Sequence, residues 1–359
     1  MNYRVFLTIL ILAALSAKCF GQPVRISPIP KNWYQLDPAT DSVAGISLFK
    51  AYRLLRNMQS TTVIVAVIDN GVDIDHEDLK NVIWNNQREI PDNGIDDDHN
   101  GYADDVHGWN FRGAKDGTII ENEQAGATQF YKAWNGKFKR ADSSNLSAAD
   151  QKMYAVYKRA EKVYLEHLTS KDSNEIKYAY NLNFSSGGLI ADYNFNSSNT
   201  HYGSPYFKLS PNLSHGTHVA GIIAAQRNNG IGIDGIADNV KIMPIVASMA
   251  VGDERDEDVA NAIRYAVDNG ARIISMSFSK LFSADKKLVD DAIRYAEKKM
   301  YLLFTVLVTT AWISTIRRTI ITLLRYIWMA SAPPTLLRLA GTGHCLTTGW
   351  RILILITEK

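Results

Sequence analysis

The sequence predicts an α/β fold: a parallel β-sheet covered by helices on both faces, with an inserted helical and loop region. Two observations carry this. Residues 62–68 form a nearly continuous β-branched run, Thr-Val-Ile-Val-Ala-Val-Ile, as a central strand buried on both faces requires. From residue 217 onward, segments of helical and strand pattern alternate, which places successive strands side by side and in parallel.

Taken in order, Met1–Gly21 holds Arg4, an apolar run Val5–Leu15, and Ser16-Ala17-Lys18-Cys19-Phe20-Gly21. This is the layout of a secretory signal peptide, cleaved between Gly21 and Gln22. A lipid anchor on Cys19 is the alternative, and Lys18 just before it argues against that. The run is short for a membrane span. Residues 22–61 read as a proline-dotted lead-in with a helical pattern over Ile46–Met58. After the central strand, residues 112–210 form a long insertion. In it Met153, Val156, Tyr157, Ala160, Val163 and Tyr164 recur at helical spacing among lysines and glutamates, as in a helical cap. Residues 182–200, rich in Ser, Asn and Gly, read as loops. Then follow a helix over Thr217–Gln226, a strand over Val240–Val246, and a helix over Asp256–Asp268 stopped by Asn269-Gly270. A strand over Arg272–Phe278 and a helix over Ala284–Lys298 complete the pattern.

Charge divides the chain. Of 39 basic and 37 acidic residues, Met1–Lys299 holds 33 and 36, and Met300–Lys359 holds 6 and one, Glu358. A mildly acidic body gives no footprint for a polyanion, so no nucleic-acid partner is expected. The two cysteines, Cys19 and Cys345, lie outside the body, which excludes a disulfide framework or a Cys-x-x-Cys metal site there.

Two stretches carry chemistry. Val63–Val72 reads as a buried strand ending in Asp69-Asn70-Gly71. Asn212-Leu213-Ser214-His215-Gly216-Thr217-His218 delivers a histidine to the start of a small-residue helix. Together, in the order Asp then His, they resemble the aspartate and histidine motifs of subtilisin-like serine peptidases, with Asn70 where Thr or Ser is usual. The resemblance covers roughly residues 62–299. It implies a subtilisin-like fold, Asp69 as the orienting carboxylate, His215 as the general base, and a peptide or protein substrate outside the cell or in its envelope. It implies no cofactor for catalysis and no membrane partner. It places Ser277, Phe278 and Ser279 along the substrate backbone, with Ser275 and Ser279 departing from the family's usual Asn and Gly. His218 reads as a packing residue within the helix.

A third stretch is acidic. Asp96, Asp98, Asn100, Gly101 and Asp104 follow the Asp-x-Asp-x-Asn-Gly spacing of a calcium loop, so a structural calcium is expected on Asp96, Asp98, Asn100 and Asp104. His107 stands where a calcium loop has its bidentate Glu, and a solvated acidic turn is the alternative reading.

Two parts of the resemblance are missing. No Ala-Gly-Asn-like oxyanion segment follows Lys298, and no Gly-Thr-Ser nucleophile occurs: Gly341-Thr342-Gly343 lacks the serine, and Ser314 and Ser331 lack the glycine setting. Back-translated and read one base earlier, residues 300–359 can open Asn-Val-Phe-Thr-Val-His-Gly-Ala-Gly-Asn-Asp. This explains the tail as frame-shifted at the adenine-rich codons of Lys298-Lys299, and it predicts an inactive chain whose sheet keeps an open edge. The alternatives are a pseudo-peptidase that only holds peptide, and an apolar helix over 300–328 acting as a membrane anchor.

Overall fold

The structure, a computed structural model, describes residues 29–112, 124–169, 202–207, 214–249, 252–299 and 302–305. The chain divides into two compact units at Gln59/Ser60. In the first, helix α1 (Pro38–Asp41) is capped by Asp37, which accepts hydrogen bonds from the Ala39 and Thr40 amides. Helix α2 (Leu48–Leu55) is shorter than the expected Ile46–Met58, and its Lys50 pairs with Asp37 at 2.6 Å.

The second unit is built on five parallel strands: β1 (Val63–Asp69), β2 (Trp109–Asn110), β3 (Val240–Val246), β4 (Ile273–Met276) and β5 (Leu302–Thr305), in the order β2-β3-β1-β4-β5. The central position of β1 follows from its composition: Ala66, Val67 and Ile68 have no exposed surface, so the strand can only sit between two covered faces. Its side chains alternate between them. Ala66 and Ile68 enter the larger core, with Met243, Ile245 and Ile274, beneath helices α6 (Asp256–Asp268) and α7 (Lys286–Lys298). Val65 and Val67 enter the other core with Val72, Leu79 and Ile242, beneath helix α5 (His215–Ala224). Fully buried alanines at 260, 262, 266, 292 and 296 let α6 and α7 pack closely.

The insertion contributes an antiparallel pair, α3 (Gly126–Phe138) and α4 (Ala148–Thr169). The latter contains the helical pattern expected over 153–164. Their aromatic seam, with Tyr131 stacked on Tyr164 at 4.4 Å, continues onto the body, where Phe130 meets Phe282 at 5.7 Å. The Gly126 amide donates to Asp253 Oδ2 at 3.0 Å. The cap thus rests on the loops that leave β3 and β4. The loops expected over 182–200 lie outside the described residues, as do residues 1–28.

Three expectations are corrected. The strand expected over Arg272–Phe278 ends at Met276. The edge of β4 is not open: β5 pairs with it in parallel from Ile273↔Leu302 to Met276↔Thr305, so four residues beyond Lys299 continue the ladder and satisfy its backbone groups. A helix over 300–328 is excluded at Leu302–Thr305, which is strand. Among the described residues, no helix is long and apolar enough to cross a membrane.

Candidate active site

Asp69 is the last residue of β1, at the carboxyl end of the parallel sheet, where open α/β sheets place their sites. Alternation along the strand puts it on the same face as Val65 and Val67, the face covered by α5. The first residue of α5 is His215. The two therefore meet by construction: His215 Nδ1 lies 2.9 Å from Asp69 Oδ1 and 3.0 Å from Oδ2. The carboxylate is 4% exposed and the imidazole 53% exposed, so one partner is fixed and the other faces solvent. An ionised carboxylate only accepts, so Nδ1 carries the proton and the neutral ring keeps its lone pair on Nε2.

Burial pushes the Asp69 carboxyl above the ordinary carboxylate range, against the hydrogen bonds from His215 and from the Asn70 amide, which donates to Oδ1 at 2.8 Å. Its carbonyl oxygen accepts from the Ala247 and Ser248 amides at 3.1 and 3.2 Å, which ties the end of β1 to the loop after β3.

Glycine at 216 is obligatory. A Cβ there would stand 2.2 Å from the Gly71 carbonyl oxygen and 3.0 Å from Asp69 Cβ. Two further bonds lace the helix start to the turn after β1. The Gly216 amide donates to Asn70 Oδ1 at 3.1 Å, and the Asp73 amide donates to Thr217 Oγ1 at 2.9 Å. His218, expected to pack within the helix, is exposed on α5.

The other expected substrate contacts lie beyond the end of β4. Met276 pairs with Ile68, so Ser277 begins the segment that leaves the sheet beside Asp69. Phe278 packs partly against the larger core, and Ser279 is exposed.

The acidic loop is assembled differently from its sequence pattern. Asp96 and Asp98 converge with Glu89, one carboxylate oxygen of each lying within 4.8 Å of the others. Asp104 is not in that group, and Asn100 meets it through its backbone amide, which donates to Asp96 Oδ1 and Asp98 Oδ1. Asn100 Oδ1 accepts from the Tyr102 amide at 2.8 Å and its Nδ2 donates to Asp105 Oδ2 at 3.0 Å; Asp104 accepts from the Asn93 and Gly94 amides at 3.0 and 2.9 Å. His107 Nδ1 lies 3.1 Å from the Trp84 carbonyl oxygen, away from any ligand role. Glu89, which is buried, accepts from the Asp98 and Asp104 amides at 3.0 and 2.9 Å. It lies outside the Asp-x-Asp-x-Asn-Gly window, so spacing alone does not find it. Three converging carboxylates are a hard-oxygen donor set suited to calcium, with the Arg88 guanidinium at 2.8 Å from Asp98 Oδ2 as a competing cation.

The chain is similar to known proteins over parts of its length. A thermophilic serine proteinase of Bacillus sp. (strain AK1) is 41% identical over 86 residues, 24% of this chain and 21% of that protein. The cell wall-associated protease of Bacillus subtilis (strain 168) is 46% identical over 63 residues, 18% and 7% of the two. The chain thus spans about a fifth of the length of the first of these curated relatives and less than a tenth of the second. Among solved structures, the nisin leader peptidase NisP of Lactococcus lactis aligns at 17% identity and a TM-score of 0.34, over 82% of this chain and 55% of that one. The profile of the subtilase family matches residues 60–311, more than half of the sequence, and the chain belongs to that family.

Proposed function

We propose that the chain carries the carboxylate and the general base of a serine endopeptidase of subtilisin type. The contact of His215 Nδ1 with both oxygens of the buried Asp69 carboxylate carries this reading. In peptide hydrolysis, Nε2 of His215 would take the proton of a serine hydroxyl as that oxygen attacks the scissile carbonyl. Asp69 would hold the ring and stabilise the imidazolium, which then protonates the leaving amine. Substrate backbone would run along Ser277–Ser279. The signal-like residues 1–21 support export, to the envelope or the medium.

The nucleophile and the oxyanion asparagine are absent from the 359-residue sequence, and the tail reads best as frame-shifted. The β5 pairing supports a junction after Thr305 instead of at Lys298-Lys299. Read one base earlier, the codons from Val306 to Thr310 still permit Ala-Gly-Asn-Asp, the oxyanion-type segment that the family carries after such a strand. On this reading the chain as given has no turnover, since its base has no hydroxyl to deprotonate. We also assign a structural calcium to Glu89, Asp96 and Asp98.

The test is a gene with the reading moved one base earlier after the Thr305 codon. Its product should hydrolyse a peptide substrate, and His215→Ala should abolish that hydrolysis. The 359-residue chain should take no label from a serine-directed fluorophosphonate. Stoichiometric labelling would overturn the assignment of an inactive chain. A stop codon soon after the junction, or a soluble but inert product, would favour a pseudo-peptidase that only holds peptide.

A further inference from the structure

We infer that Asn70 is a positioning residue for the His215–Asp69 pair, holding the carboxylate with its backbone and the helix that carries the imidazole with its side chain. The inference rests on the reading of that pair given above.

A helix start leaves its first amides without intrahelical partners, and a side chain at the N-cap position usually takes one of them. At α5 that position is Ser214. Its φ and ψ, −92° and −12°, are helical, and its side chain makes no cap bond. The cap comes instead from another element. Asn70 Oδ1 accepts from the amide of Gly216, the second helical residue, which is where an N-cap side chain ordinarily bonds. Meanwhile the Asn70 amide donates to Asp69 Oδ1, the oxygen that also meets His215 Nδ1. One residue thus fixes both sides of a 2.9 Å contact. It is 6% exposed, so water does not substitute for its side chain without rearrangement.

The residue type matters. The amide carbonyl of Asn reaches further from the backbone than a Ser or Thr hydroxyl, and Gly216 without a Cβ lets α5 come within its reach. Removing the Asn70 side chain leaves the Gly216 amide unsatisfied next to a buried carboxylate. Among the described residues, the Asp73–Thr217 bond is then what remains of the lacing between the helix start and the turn.

The experiment needs no turnover. In the full 359-residue chain, labelled with ¹⁵N at histidine, the proton on His215 Nδ1 should give a slowly exchanging, strongly deshielded resonance, assigned by its loss in His215→Ala. Asn70→Ala should speed exchange of that proton with water about fivefold, the ratio set by a lost hydrogen bond of ordinary strength. Asn70→Asp, which keeps the acceptor oxygen, should preserve it. Thr217→Val, which breaks the other lacing bond, should lower the melting temperature and leave the resonance in place, separating positioning from general destabilisation. An unchanged exchange rate in Asn70→Ala, or equal loss in Asn70→Asp, overturns the inference. Absence of the resonance from the unmodified chain removes the histidine–carboxylate pair itself, and the inference with it.

Discussion

Two groups of carboxylates invite comparison: the single Asp69 at the end of β1 and the cluster of Glu89, Asp96 and Asp98 in the loop before β2. Asp69 is buried and shares its oxygens between an imidazole and one amide. The loop cluster is satisfied mainly by its own backbone. Asp96 accepts from the Asn100 and Gly101 amides, Glu89 from those of Asp98 and Asp104, and Asp98 from Asn100. The lone carboxylate depends on one titratable partner, as the proposed proton transfer requires. The cluster gathers negative charge in a turn shaped by left-handed residues, His99 at φ 58° and Gly101 at φ 98°, and suits a cation that adds stability without entering the chemistry.

The sharpest way to break the comparison is Asp69→Asn in the frame-restored enzyme. An amide in place of the carboxylate favours the wrong imidazole tautomer and stabilises no imidazolium, so kcat should fall by about 10⁴. Stability should hold or rise at neutral pH, because burial disfavours the ionised carboxylate that Asn removes. A melting temperature that collapses along with the activity would mean that Asp69 is mainly structural.

Calcium tests the other half. In excess calcium the folded chain should gain stability over excess chelator, about 2.7 kcal/mol at a hundredfold excess over Kd. That corresponds to roughly 5 to 10 °C in melting temperature for a domain of this size. Asp96→Asn should abolish most of the gain with no effect on the His215 resonance. Identical melting curves with and without chelator would remove the metal and leave the loop as a self-satisfied acidic turn.

What the sequence made legible follows the same division. Strand Val240–Val246 and helix Asp256–Asp268 were readable to their end residues, because a continuous apolar run and an Asn-Gly stop are local signals. Asp69 and His215 were singled out by the two motifs in which they stand, one closing a strand pattern and the other leading into a helix. The start of α5 was not: it lies two residues earlier than its pattern suggests, at His215, and its cap comes from Asn70, 146 positions away. Glu89 escaped for a related reason, since the fold and not the spacing brings it to Asp96 and Asp98. β2 is two residues long, too short to have a period. β5 was hidden by the abrupt change in charge after Lys299, although Leu-Leu-Phe-Thr is an ordinary strand composition.

The smallest effect concerns a third carboxylate, Glu254, which shares the burial of Asp69 and lacks its imidazole partner. It lies in the loop between β3 and α6 and is 7% exposed; its Oε1 accepts from Ser248 Oγ at 2.9 Å, and its Oε2 has no hydrogen-bond partner among the described residues. Lys280 Nζ bonds to the Glu254 carbonyl oxygen at 2.6 Å and to the Asp256 carboxylate at 2.7 Å. Burial, reinforced by the charge of the neighbouring Asp253, pushes the Glu254 carboxyl from its ordinary 4.5 up to about 7. Across that interval the folded chain keeps a proton that the unfolded chain has released. The stability contributed by this group is therefore complete below pH 4.5, falls as pH rises towards 7, and stays lost above it. Glu254→Gln keeps the acceptor for Ser248 and removes the titration. Urea midpoints of the variant and the unmodified chain should coincide near pH 4.5, and at pH 8 the variant should be the more stable by on the order of 2 kcal/mol. A difference independent of pH would show that Glu254 ionises as readily in the folded chain as in the unfolded one. The contrast between a buried carboxylate with an imidazole partner and one without would then fail at this site.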